Sequence, residues 1–190
     1  MRHLESVALL LLACIITEYS VAISPETKPA VAPAPPMCEV SQLALSTDSE
    51  GGFFNGMSQG GTLVVLRNVG PDACRVEPFA RFTLQDSSEK EIAFTTTVPN
   101  TRGMHPGPVV LPIPLASGAE LTSTLHWISD PVFPQSFCVQ PNQLILQIGD
   151  SKLITEFRAN ICGERGKRIN IDRTRFAPDP VYTPAPVRKP

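Results

Sequence analysis

Gln143–Arg158 reads QLILQIGDSKLITEFR. Two short runs rich in Leu and Ile, Gln143–Ile148 and Lys152–Arg158, flank Gly149-Asp150-Ser151. A compact Gly/Asp/Ser break between two such runs is the signature of a β-hairpin. A hairpin needs further strands before it can bury an apolar face, so the rest of the chain should supply them.

Working outward, it does. Thr62–Asn68 (TLVVLRN) is apolar on both faces, as a central strand should be, and Asn68-Val69-Gly70-Pro71-Asp72 breaks it. Glu120–Ile128 sets Leu121, Leu125 and Trp127 on one face at period two, with Ser123 interrupting that face. His126, alternating with them, should point to the opposite, solvent face. Glu39–Ser46 aligns Leu43 with Leu45, Arg75–Gln85 aligns Phe82 with Leu84, and Glu91–Thr96 carries Ile92 and Phe94. Val109–Leu115 contains Pro112 and Pro114, which restrict it to a sheet edge or an extended segment. Helical periodicity is almost absent. About eight short strands with frequent turn signals predict an all-β, immunoglobulin-like antiparallel β-sandwich, with Trp127 in the core between its sheets.

The flanks set the boundaries. Val7–Ile16 is an apolar run of ten residues behind Arg2 and His3. That is about half of what a membrane span needs and suits the apolar core of a signal peptide. Ser20-Val21-Ala22 offers a small-residue cleavage site, so residues 1–22 read as a signal peptide. The competing reading takes Leu11-Leu12-Ala13-Cys14 as a lipobox, with Cys14 acylated as the new N-terminus. A third takes the run as an uncleaved anchor. Residues 23–36 form a Pro/Ala-rich linker, residues 37–171 the sandwich domain, and residues 172–190 a Pro-rich tail. The first two readings place the body outside the cytoplasm, periplasmic or extracellular, either soluble or anchored at the membrane as a lipoprotein.

Cys38, Cys74, Cys138 and Cys162 lie in that body. In an exported domain they are candidates for two disulfides, with three connectivities to choose from. The hairpin chooses. A turn centred near Asp150 sets equidistant residues opposite each other, and Cys138 and Cys162 each lie twelve residues away. They should face each other across the open end of the ribbon. Cys38 then pairs with Cys74 by elimination. There is no C-x-x-C and no zinc-like spacing.

The residues also resemble a family. Cys38 precedes a strand, Gly51-Gly52 and Gly60-Gly61 mark a glycine-rich loop, and Leu63–Gly70 (LVVLRNVG) leads to Cys74 and Arg75-Val76-Glu77-Pro78-Phe79. An apolar strand, an Asn-x-Gly turn and a cysteine in this order are similar to the bacterial domain-of-unknown-function 4232 family, chiefly over Cys38–Asp86. Glu77-Pro78-Phe79 stands where that family has a Gly-Tyr-Pro-like stretch. The resemblance implies an exported or lipid-anchored β-sandwich at the cell envelope and no catalytic residues.

Composition narrows the function. The chain has 16 Lys/Arg and 18 Asp/Glu; removing Arg2, Glu5 and Glu18 with the signal leaves 15 and 16. A near-neutral body gives no electrostatic case for nucleic acid. His105 and His126 are the histidines left after processing, and there is no Gly-x-Ser-x-Gly elbow, so a hydrolase triad has little to build on. No cofactor is expected. The expectation is a non-enzymatic binding or structural module of the envelope, its partner a protein or glycan.

Three features are candidates for more specific chemistry. Met104-His105 joins a thioether to an imidazole, a pairing suited to Cu(I), with Met57 and His126 as further donors. This gives the alternative function, a periplasmic copper-binding protein; the simpler reading is a polar loop. Phe53-Phe54-Asn55-Gly56 places two large apolar residues in a loop, either a contact surface or one ring tucked into the core. Arg165–Arg175 (RGKRINIDRTR) holds five basic residues and one acid, either a contact for acidic polymers and headgroups or a solvated exit from the last strand.

Overall fold

The computed structural model describes residues 33–97 and 110–178. They carry fourteen strands: β1 (Leu43–Asp48), β2 (Gln59–Asn68), β3 (Cys74–Val76), β4 (Phe82–Gln85), β5 (Glu91–Ile92), β6 (Phe94–Thr97), β7 (Ile113–Leu115), β8 (Glu120–Ile128), β9 (Ser136–Val139), β10 (Gln143–Ile148), β11 (Ser151–Glu156), β12 (Ile161–Glu164), β13 (Ile169–Arg173) and β14 (Ala177–Pro178). The larger sheet runs β1-β2-β8-β13-β6, with β14 also on β8; the smaller runs β11-β10-β4-β5. β9 pairs with β12, and β3 with β7, as separate two-stranded ladders.

The sandwich core forms where the two sheets face each other. Leu66, Leu121, Leu125 and Ile171 from the larger sheet and Leu84, Leu144 and Leu146 from the smaller are buried in one cluster. β2 is central between β1 and β8; Val64 and Leu66 are buried in the core, and Leu63 and Val65 are half-buried on the other face. β8 alternates buried and half-buried residues along its whole length. Trp127 sits in the core as expected. Its indole N–H donates to the Asn160 carbonyl at 3.0 Å, and its ring meets Phe157 edge-on at 5.5 Å. Gly60 beneath it has no room for a side chain: a Cβ there would lie 2.7 Å from the indole nitrogen. Ser123 interrupts the apolar face because its hydroxyl donates to the Thr174 carbonyl at 2.7 Å.

Several boundaries differ from the sequence reading, each for a local reason. Arg75–Gln85 is two strands, because Pro78 has no N–H to continue a ladder. Glu91–Thr96 is divided at Ala93, where the chain leaves β4 in the smaller sheet and joins β13 in the larger. It arrives parallel to β13, so the sandwich is not purely antiparallel. β7 pairs with β3 alone, consistent with the edge role set by Pro112 and Pro114. The packed body also continues past Ile171. β13 runs on to Arg173, Phe176 is buried, and β14 follows, so residues 172–178 are not tail.

The segment Arg165–Arg175 is therefore not an exit from the last strand. It contains β13, which lies between β8 and β6. Ile169 and Ile171 point inward while Asn170 and Asp172 face out. The basic flanks mask this alternation in the sequence.

Candidate functional site

The cysteines pair as Cys38–Cys74 and Cys138–Cys162. Cys138 and Cys162 are direct cross-strand partners in β9 and β12. The β10–β11 ladder closes one residue earlier, with Ile148 opposite Ser151. Three residues, 140–142, then face four, 157–160, and the extra residue restores the register in which the cysteines meet. Cys74 and Cys162 are buried, and Cys138 is exposed.

Asn68 organises the turn next to the first bridge. It is fully buried. Its amide donates to the carbonyls of Asp72 at 2.8 Å and Leu115 at 3.1 Å, and its side-chain oxygen accepts from the Gly70 N–H at 2.9 Å. One side chain thus joins the end of β2, the approach to Cys74 and the end of β7. The Asn-x-Gly turn noted in the sequence is this hub.

The Phe53-Phe54-Asn55-Gly56 loop splits its two rings. Phe54 is half-buried, edge-on to His126 at 5.4 Å, and packs on the outer side of the larger sheet. Gly61 makes room: a Cβ there would meet Phe54 at 2.7 Å and the Leu125 carbonyl at 2.9 Å. Phe53 stands on Phe54 at 5.5 Å and is 82% exposed. Met57 is 98% exposed. The tucked ring packs on the outer side of the sheet rather than in the inter-sheet core.

His126 faces away from the core, as its alternation requires, and is covered by Phe54. Met57, with next to no contact, does not cap the imidazole. Among the described residues no group of three His, Cys, Asp or Glu side chains could hold a metal ion. Met104 and His105 lie outside the described residues, as do the signal peptide with Cys14, the linker up to residue 32 and the chain after Pro178.

A second surface takes in part of the basic segment Arg165–Arg175. A cleft of about 520 Å³ opens where β4 and β5 meet β6 and β13. Arg81, Arg168 and Arg173 line it together with Phe79, Phe82 and Phe94. Phe82 and Phe94 stack at 5.1 Å. The Arg173 guanidinium lies 5.7 Å from the Phe79 centroid and 5.4 Å from that of Phe82, and its Nη1 donates to the Ala80 carbonyl at 2.8 Å. Burial lowers the Arg173 pKa from the usual arginine value. These residues come from three separated segments. The basic stretch Arg165–Arg175, marked in the sequence as a candidate contact for acidic groups, supplies Arg168 and Arg173, and its junction with Arg81 and the phenyl rings exists only in the fold.

The described residues define an all-β sandwich domain closed by two disulfides, with an aromatic loop on one sheet and an arginine-lined cleft at the sheet junction. The chain belongs to the family described as domain of unknown function (DUF4232), whose model matches residues 38–155. That range takes in Cys38, Cys74 and Cys138, and ends before the strand that carries Cys162. No curated protein and no solved structure matches the chain. Among the described residues, no helix is long and apolar enough to cross a membrane.

Proposed function

We propose that this protein is an exported, non-enzymatic binding module of the cell envelope, and that it meets a protein or glycan partner through the Phe53 loop. The observation that carries this reading is the 82% exposure of Phe53 on a loop braced by Phe54 and His126. An exposed aromatic costs water contact, and burying it against a partner returns about 1.5–3 kcal/mol. Bracing keeps the ring presented, so less freedom is lost on binding. The two disulfides suit an oxidising compartment, and the signal-like start supports export.

The test places a photo-crosslinking side chain at Met57, where 98% exposure spares the fold, in the full chain expressed in an exporting host. A discrete crosslinked partner in the envelope fraction, lost on Phe53→Ala, is the expected result. No crosslink, or crosslinks unchanged by Phe53→Ala, would remove the loop from the account.

A further inference from the structure

We propose that the Arg81–Arg168–Arg173 cleft binds an organic anion: a carboxylate, phosphate or sulfonate group carried on an aromatic or apolar body. This surface is distinct from the Phe53 loop, and its test does not depend on that reading.

Three cations converge on one cleft with little to neutralise them. The ion pairs among the described residues are Arg67–Glu120, Arg158–Glu156 and Lys167–Glu164, and none involves these arginines. Glu91 is the one carboxylate in the lining. Of the nearby acids, Glu164 engages Lys167, and Asp172 accepts from the Asn170 amide at 2.9 Å. The cleft therefore keeps an excess of positive charge. Such a surface attracts anions, the more so where low-dielectric walls reduce screening.

Arg173 is held and under-compensated at once. Its planar group lies near two phenyl rings and has one backbone carbonyl for Nη1, while its Nε is buried without an acceptor among the described residues. A half-buried cation with few acceptors is only partly compensated, and an anion placed beside it offsets that deficit. The fixed guanidinium loses little freedom on binding; with Nε buried and Nη1 engaged by Ala80 it contributes chiefly by charge. The exposed Arg81 and Arg168 suit paired hydrogen bonds to carboxylate, phosphate or sulfonate oxygens.

The aromatic lining supplies the second half of the specificity. Phe79 is 38% exposed beside Arg173, and Phe94 is half-buried against Phe82. Thr83 and Thr96 add hydroxyls to the lining. A bare inorganic anion would use the arginines and leave the rings in water. An anion on an apolar body would use both.

Isothermal titration of the full oxidised chain with naphthalenesulfonate at low salt tests this. Saturable one-to-one binding is expected, weakened about tenfold by Arg81→Gln or Arg168→Gln and weakened further by salt. Both side chains lie on exposed residues, so the variants should keep the parent's unfolding midpoint. Inorganic sulfate and the neutral naphthalenemethanol should each bind at least tenfold more weakly. Absence of saturable binding, or an affinity indifferent to both substitutions, would overturn the proposal. Sulfate binding as tightly as the sulfonate would overturn the apolar half of it.

Discussion

At the scale of single residues, Asn68 bears most on the integrity of the domain. Replacing it by Ala takes the amide donor from the Asp72 and Leu115 carbonyls, while the Gly70 N–H keeps only its longer bond to the Gln42 carbonyl at 3.3 Å. A stranded buried group costs about 1–3 kcal/mol; the Leu115 carbonyl and the fully buried position of Asn68 itself carry that cost, and the half-buried Gly70 and exposed Asp72 add less. Asn68→Ala should therefore lose roughly 2–4 kcal/mol in urea unfolding of the oxidised protein; a loss below half a unit would show that water replaces the amide. Gly61→Ala drives a methyl into Phe54 and the Leu125 carbonyl and should cost about 1–3 kcal/mol. Phe53→Ala, on an exposed ring, should change stability by no more than about 0.5 kcal/mol. Residue-level logic was partly legible. Ser123 was visible as a polar break in an apolar face. Its reason was not, because its acceptor, Thr174, lies 51 positions away in sequence, in a segment that reads as tail.

At the scale of elements, strands with clean alternation or a full apolar run could be read directly: β2, β8, β10 and β11. β1 and β4 were legible from one aligned apolar pair each, Leu43 with Leu45 and Phe82 with Leu84; β9 and β12 were not. β9 and β12 have four residues each, too few for a period to stand out beside the turns that flank them. β13 was hidden by charge, since Arg168, Arg173 and Arg175 suggest a solvated segment while Ile169 and Ile171 do the packing. A direct check is Phe176→Ala. A Pro-rich tail would tolerate it, whereas the ring here is only 3% exposed. The loss should be about 3–5 kcal/mol by denaturant unfolding, and an unchanged midpoint would return residues after Ile171 to the tail. The division at Ala93 shows the same limit from the other side. Local propensity marked one strand, and the crossing between sheets was decided by β4 and β13, partners from distant parts of the chain.

At the scale of the whole molecule, the bridges reinforce short backbone pairings at the margins of the main sheets. Cys38–Cys74 links the chain just before β1 to β3, and Cys138–Cys162 staples a two-stranded ribbon outside the main sheets. Each should contribute about 2–4 kcal/mol by restricting the unfolded chain. The pairing was legible because one hairpin set the register of the second bridge. The aromatic loop was legible because its residues are adjacent. The arginine cleft was legible only as the basic segment Arg165–Arg175; Arg81 and the phenyl rings join it only where β4, β6 and β13 meet in the folded state. The most direct test of an exported, disulfide-closed binding domain is the intact mass and disulfide map of the protein recovered from an exporting bacterial host. The expected result is a chain processed near Ala22, free of metal, with Cys38 joined to Cys74 and Cys138 to Cys162. Reduced cysteines, a crossed pairing or a stoichiometric copper ion would contradict it.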